Sequence, residues 1–158
     1  MKIFVFLAFL IFSKNLFSLE IKCLFEEVYQ DGSFQQGIIL LKEDNLRYQY
    51  LNSELYTIIN NENGLFLVNN KNRLPQVLET NTEIVDFLID QSLIFPNNKK
   101  SYLTNNFKAK IINSKNSLFI KNIIITGKNI NLNIHFYECN NEPIDRLVFK
   151  HNPLQYLK

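Results

Sequence analysis

No tryptophan occurs in the chain of 158 residues, and the residue types that build the commonest chemical sites are scarce. Two Cys are too few for a disulfide scaffold or a four-thiolate zinc site, and two His complete few metal sites unaided. Four Gly and four Pro leave no Gly-rich phosphate loop and no Pro-rich linker. Excess charge of one sign is missing too, with 17 Lys plus Arg against 15 Asp plus Glu. No internal repeat or low-complexity tract breaks the chain, and at roughly 150 residues per domain one domain is expected. An apolar fraction of 46% is ordinary for a folded globular protein, so global disorder is not expected.

What the chain does have begins at its start. Residues 1 to 18 carry Lys2, then ten uninterrupted apolar residues from Ile3 to Phe12, which as a helix reach about 15 Å, half a bilayer core. That length and flank predict a secretory signal peptide over 1 to 18, cleaved near Ser18, followed by a β domain over 19 to 158. Cleavage removes Lys2 and Lys14 and no acid, so 17 basic residues become 15 against 15 acidic ones. A neutral domain lacks the electrostatic footprint for nucleic acid. Export into an oxidising compartment permits Cys23 and Cys139 to pair, the alternative being two small buried hydrophobes.

From Leu19 onward, runs of Ile, Phe, Tyr and Leu recur every 8 to 12 residues between clusters of Asn, Asp, Gly and Lys, a rhythm of antiparallel strands. Strands are expected near 20 to 30, 34 to 42, 46 to 51, 54 to 60, 64 to 69, 73 to 78, 101 to 113, 117 to 126, 129 to 138 and 145 to 150. Turns at Asp31-Gly32, Asn63-Gly64, Gly127-Lys128-Asn129 and Asn140-Asn141 supply residues that tolerate positive φ. One segment differs: Thr80 and Glu83 form a capping box, and Ile84, Val85, Phe87, Leu88 and Ile89 recur at helical spacing through Gln91. One amphipathic helix between two strand groups is therefore expected, with Glu83, Asp86 and Asp90 on its solvent side.

The stretch Phe34 to Asn70 contains Gly37, the aliphatic run Ile38 to Leu41, Lys42, a turn at Glu43-Asp44-Asn45, Arg47-Tyr48-Gln49-Tyr50, and the hairpin Asn63-Gly64. In that order these resemble the LolA family of periplasmic lipoprotein carriers, although Glu43 stands where the family has a turn Pro. Asn141, Pro143, Ile144, Phe149 and Pro153 are similar to that family's last hairpin and closing strand. The resemblance implies a mainly β fold: an antiparallel, strongly curved, unclosed β-barrel with an α-helical lid over an apolar concave face. It implies a carrier that shelters lipoprotein acyl chains, or a similar acylated ligand, on the way to the outer membrane. Partners would then be an inner-membrane ABC-type release complex and an outer-membrane acceptor.

On that reading Ile38, Leu40, Ile84, Phe87 and Leu88 line the cavity and its lid. Lys42 matches the basic residue that latches the lid by hydrogen bonding to its backbone, and strand alternation puts it on the face of Ile38 and Leu40. Arg47 and Tyr48 are family-pattern residues on opposite faces of one strand. A rival reading keeps the fold but fills the core with side chains, giving a periplasmic interaction or assembly domain. An enzyme is not expected: His135 with Asn133, and His151, lack a nucleophile elbow or an HExxH pattern. Glu26 and Glu27 point to opposite faces of a strand and make no carboxylate pair. No metal or cofactor is expected.

Overall fold

The structure, a computed structural model, describes residues 20 to 78, 83 to 90, 101 to 115 and 119 to 150. The expected signal peptide, the cap at Thr80, His151 and Pro153 lie outside them. Ten strands form one antiparallel sheet: β1 (Glu20–Tyr29), β2 (Phe34–Lys42), β3 (Asn45–Tyr50), β4 (Tyr56–Asn61), β5 (Gly64–Asn69), β6 (Pro75–Val77), β7 (Ser101–Leu103), β8 (Phe107–Asn113), β9 (Ile120–Gly127) and β10 (Asn131–Asn140). Helix α1 (Glu83–Ile89) lies between β6 and β7 in the chain. Spatial order is β6-β5-β4-β3-β2-β1-β10-β9-β8-β7, so two meanders meet where β1 pairs with β10. Among the described residues β6 and β7 are the two edges and do not pair, which leaves the barrel unclosed.

Two expected strands fold otherwise. The run 101 to 113 is two strands, because Thr104 turns the chain: its Oγ1 accepts from the backbone N–H of Asn106 and Phe107 at 3.1 and 3.0 Å. The run 145 to 150 is a 3-10 turn, Arg146–Phe149, in which the Asp145 carboxylate accepts from the Leu147 N–H at 2.8 Å. Both edges of β1 are already taken by β2 and β10, so no ladder is open to this segment beside β1. It crosses the outer face instead, and side chains satisfy its backbone groups.

Register fixes which residues face inward. The two-residue turn Glu43-Asp44 pairs Lys42 with Asn45, hence Leu41 with Leu46 and Ile39 with Tyr48. Glu43 takes φ 53° in that turn, which Pro, fixed near −65°, cannot adopt. The inner face gathers Ile21, Cys23 and Phe25 of β1, Ile39 and Leu41 of β2, Leu46 and Tyr48 of β3, Leu65 of β5, Phe107, Ala109 and Ile111 of β8, Ile123 and Ile125 of β9, and Leu132 and Ile134 of β10. Strands as far apart in the sheet as β5 and β8 share this core through α1, which contributes Val85, Phe87 and Leu88.

Two bulges adjust this face. Between Lys22 and Leu24 the partner strand β10 carries one residue more, with Glu138 at φ 51°, and Cys139 is thereby turned to Cys23's side. The sulfurs of Cys23 and Cys139 are bonded across a sequence separation of 116. Between Ile112 and Asn113 the partner β9 likewise carries an extra residue, and Ile120 is turned inward. Both bulges lie in adjacent strands beside the same hollow.

Candidate functional site

Beneath α1 lies a partly open hollow lined by Ile21, Cys23, Ile39, Leu41, Phe87, Leu88, Phe119, Ile120, Ile123 and Phe136, every one apolar. Its free volume is about 20 Å³, room for about one water-sized molecule and far short of an acyl chain. With α1 in place, side chains therefore fill most of the space. Phe87 is seated among rings, 5.0 Å from Tyr102 and 5.9 Å from Phe107 between centroids. Ile84 packs half-buried against the same core. These contacts are apolar and non-directional. Glu83, at the start of the helix, has in addition a buried Oε2 with no hydrogen-bond partner.

Ile38 and Leu40 are not in this hollow. They occupy the opposite face and pack with Ile144, Val148 and Phe149 of the C-terminal segment. The aliphatic run from Ile38 to Leu41 is covered on both sides, so composition alone does not set its phase. The turn does: a two-residue hairpin puts Ile39 and Leu41 across from Tyr48 and Leu46, and these were the inward pair that sequence reasoning missed.

Lys42 also holds something other than the helix. Its Nζ donates to the Ile144 carbonyl at 2.6 Å and pairs with Glu20 at 3.0 Å, while Glu20 accepts from the Ile144 N–H. The expected latch to a lid backbone is thus, among the described residues, a latch to the C-terminal segment. The bond from Ile144, and next the bond from Lys42, hold the Glu20 carboxyl below its usual range. Arg47 is buried on the same face, its Nε donating to Gln49 Oε1 at 2.9 Å and its guanidinium to the Val148 carbonyl. Asn61 donates to the Phe149 carbonyl at 2.8 Å, and Arg146 reaches both Glu43 oxygens at 2.9 Å. Four backbone groups of one strap are satisfied by side chains of the sheet.

Tyr48 faces inward and stacks on Phe25 with centroids 4.0 Å apart. Gly37, opposite Phe25, makes this possible, since a Cβ there would lie 2.2 Å from the Phe25 ring and from the Gln49 carbonyl. Beyond the rings sits a group that the sequence did not single out. Glu27, 4% exposed, accepts from Tyr29 at 2.5 Å, Tyr48 at 2.7 Å and Tyr50 at 2.9 Å. Burial, and then the bond to Glu27, push the Tyr29 hydroxyl up to about 12. Burial and the Glu27 charge push Tyr48 and Tyr50 further above their usual range. All three therefore stay protonated donors around neutral pH. The only cue in the sequence was period-2 spacing of Glu27 with Tyr29 and of Tyr48 with Tyr50.

His135 lies in register with Glu26 and Asn122, and Asn133 accepts from Asn122 at 2.8 Å. Among the described residues no group of three or more His, Cys, Asp or Glu is placed to hold a metal ion. No helix among them is long and apolar enough to cross a membrane.

No known family's sequence profile matches the chain, and no curated protein matches it either. Among solved structures it is similar to a LolA superfamily protein from Nitrosomonas europaea, at 9% sequence identity and a TM-score of 0.53, over 84% of this chain and 90% of that one. At that identity the likeness concerns the fold. The chain is thus a mainly β protein with a LolA-like fold: one large, unclosed antiparallel sheet with an apolar inner face beneath a short helix.

Proposed function

We propose that the chain is an exported carrier of acylated molecules, lipoproteins foremost, whose inner face takes up an acyl chain when α1 lifts. The observation that carries this reading is the wholly apolar lining of the hollow under a cover held by packing. Magnitudes make the exchange feasible. Re-exposing Val85, Phe87 and Leu88 costs about 5 to 9 kcal/mol at roughly 1.5 to 3 kcal/mol each. An acyl chain of about twelve CH2 groups gains roughly 10 kcal/mol at about 0.8 kcal/mol per group. A long acyl chain can therefore replace the helix, and a short one cannot. Delivery would pass from an inner-membrane ABC-type release complex to an outer-membrane acceptor in the periplasm, with no bond made or broken.

The experiment is displacement of a fluorescent acyl probe from the purified protein by an acylated lipoprotein, with the deacylated protein as control. Saturable binding and displacement by the acylated form alone support carriage; absence of any apolar binding ends it. A second reading, a non-carrier interaction domain with a filled core, is favoured by the hollow's volume of about 20 Å³. Phe87→Glu separates the two. A carrier binds the probe at least as tightly, because the cost of lifting α1 falls, whereas a filled domain binds no probe in either form and chiefly loses stability.

A further inference from the structure

At the end of the sheet where β1 turns into β2, a separate recess of about 280 Å³ opens to solvent. It is lined by Tyr29, Asp31, Ser33, Gln35, Tyr50, Leu55 and Tyr56. Three of these seven are tyrosines, one is an acid, and no Lys, Arg or His is among them. Tyr29 and Tyr50 both donate their hydroxyl protons to Glu27, which lies buried behind them. A phenol that donates to a carboxylate carries more electron density in its ring, which strengthens its attraction for a cation. Asp31 stands at the wall with its carboxylate engaged by Ser33 N–H and Oγ at 2.9 and 2.6 Å. No ion pair among the described residues neutralises Asp31 or Glu27.

Aromatic rings, an acid and no competing base are the chemistry of an organic cation site. The Tyr hydroxyls are occupied by Glu27, so Tyr29 and Tyr50 have no proton to offer an anion. The acceptors at the wall are those of Asp31, Ser33, Gln35 and the Tyr56 hydroxyl, whereas the rings and Leu55 supply apolar surface that a primary ammonium leaves unused. A methylated ammonium asks for no acceptor and gains from apolar contact with the rings and Leu55.

We propose that this recess binds a trimethylammonium group, as in choline or in the headgroup of phosphatidylcholine. The site is distinct from the hollow beneath α1, with which it shares no lining residue. The test is calorimetric titration of the full chain with choline and with its uncharged isostere 3,3-dimethylbutanol. Choline is expected to bind about tenfold more tightly than the isostere, and Tyr56→Ala, at a rim position, to weaken it about as much. Asp31→Asn, on an exposed loop, is expected to weaken choline about threefold without touching the aromatic packing. Phosphatidylcholine against phosphatidylglycerol vesicles tells the lipid headgroup from the free cation: selective vesicle binding assigns the headgroup, and choline binding without it assigns the small molecule. Equal affinity for the isostere, tighter binding of ethylammonium, or no choline heat at all overturns the proposal.

Discussion

Both faces of β2 are apolar and covered, yet the two covers are fixed by different physics. On the inner face α1 is held by Val85, Phe87 and Leu88 among other hydrocarbon groups. On the outer face the segment around the 3-10 turn is held by Lys42, Arg47 and Asn61 donating to the carbonyls of Ile144, Val148 and Phe149 and by Glu20 accepting from the Ile144 N–H. Dispersion and water exclusion care little which hydrocarbon supplies the contact, so an acyl chain can stand in for the helix. A hydrogen bond to a chosen backbone atom has no such substitute. On the proposed function the difference separates an exchangeable cover from a fixed one; the basic residue expected at the first, Lys42, bonds to the second.

The largest effect is expected at the seam on which both faces depend. Cys23→Ser with Cys139→Ser releases a loop of 116 residues and is expected to cost roughly 4 to 5 kcal/mol in urea unfolding by the chain-entropy account. A loss under about 1 kcal/mol would mean that the β1–β10 ladder holds the two meanders unaided. Next comes the exchangeable cover: Phe87→Ala should cost about 3 to 4 kcal/mol and, by weakening the helix that competes for the inner face, slow release of an acyl probe. The fixed cover gives a contrasting result. Arg47→Ala leaves the Val148 carbonyl and Gln49 without their donor and should cost about 2 to 3 kcal/mol, with probe release unchanged. Altered probe release in Arg47→Ala would erase the distinction between the covers.

Smaller effects follow from pH, one at each end of the sheet. The Glu20 carboxyl titrates below its unfolded value of 4.5, so its contribution to the strap is present above that value and fades as pH falls through the folded one. Amide exchange at Ile144 should therefore quicken on acidification, and Glu20→Gln should remove that dependence. Tyr29 titrates at about 12 when folded against 10.0 when free. The folded state then binds more protons than the unfolded between these values, so stability is whole below pH 10 and declines as pH rises through about 12. Phenolate absorbance should show three tyrosines that fail to ionise near 10 while the fold persists.

Much of the architecture is legible in the residues, and the misreadings share a physical cause. The strand from Phe34 to Lys42 and the hairpin at Asn63-Gly64 fall where hydrophobic alternation and turn chemistry place them. The helix Glu83–Ile89 falls where apolar residues recur at helical spacing. Ile38 and Leu40 were assigned to the wrong face because a run covered on both sides carries no phase of its own. Only the pairing partner supplies one, through the register that turns Tyr48 and Arg47 to opposite sides. The segment 145 to 150 has strand-like residues but no free edge of β1 to pair with, a fact of topology that local sequence does not contain. The Glu27 cluster was invisible for a related reason, since its four members come from β1 and β3, which β2 separates in the sheet. Bulges at Glu138 and Lys121 break strict alternation and bring Cys139 and Ile120 inward, against what a period of two suggests.

Amide hydrogen exchange with and without a long-chain acyl ligand tests the central claim most directly. The account predicts that the ligand speeds exchange over Glu83–Ile89 while Arg146–Phe149 keeps its protection, because the hydrocarbon takes the place of one cover and leaves the other latched. Unchanged or slower exchange in the helix with ligand bound, or release of both segments together, would contradict it.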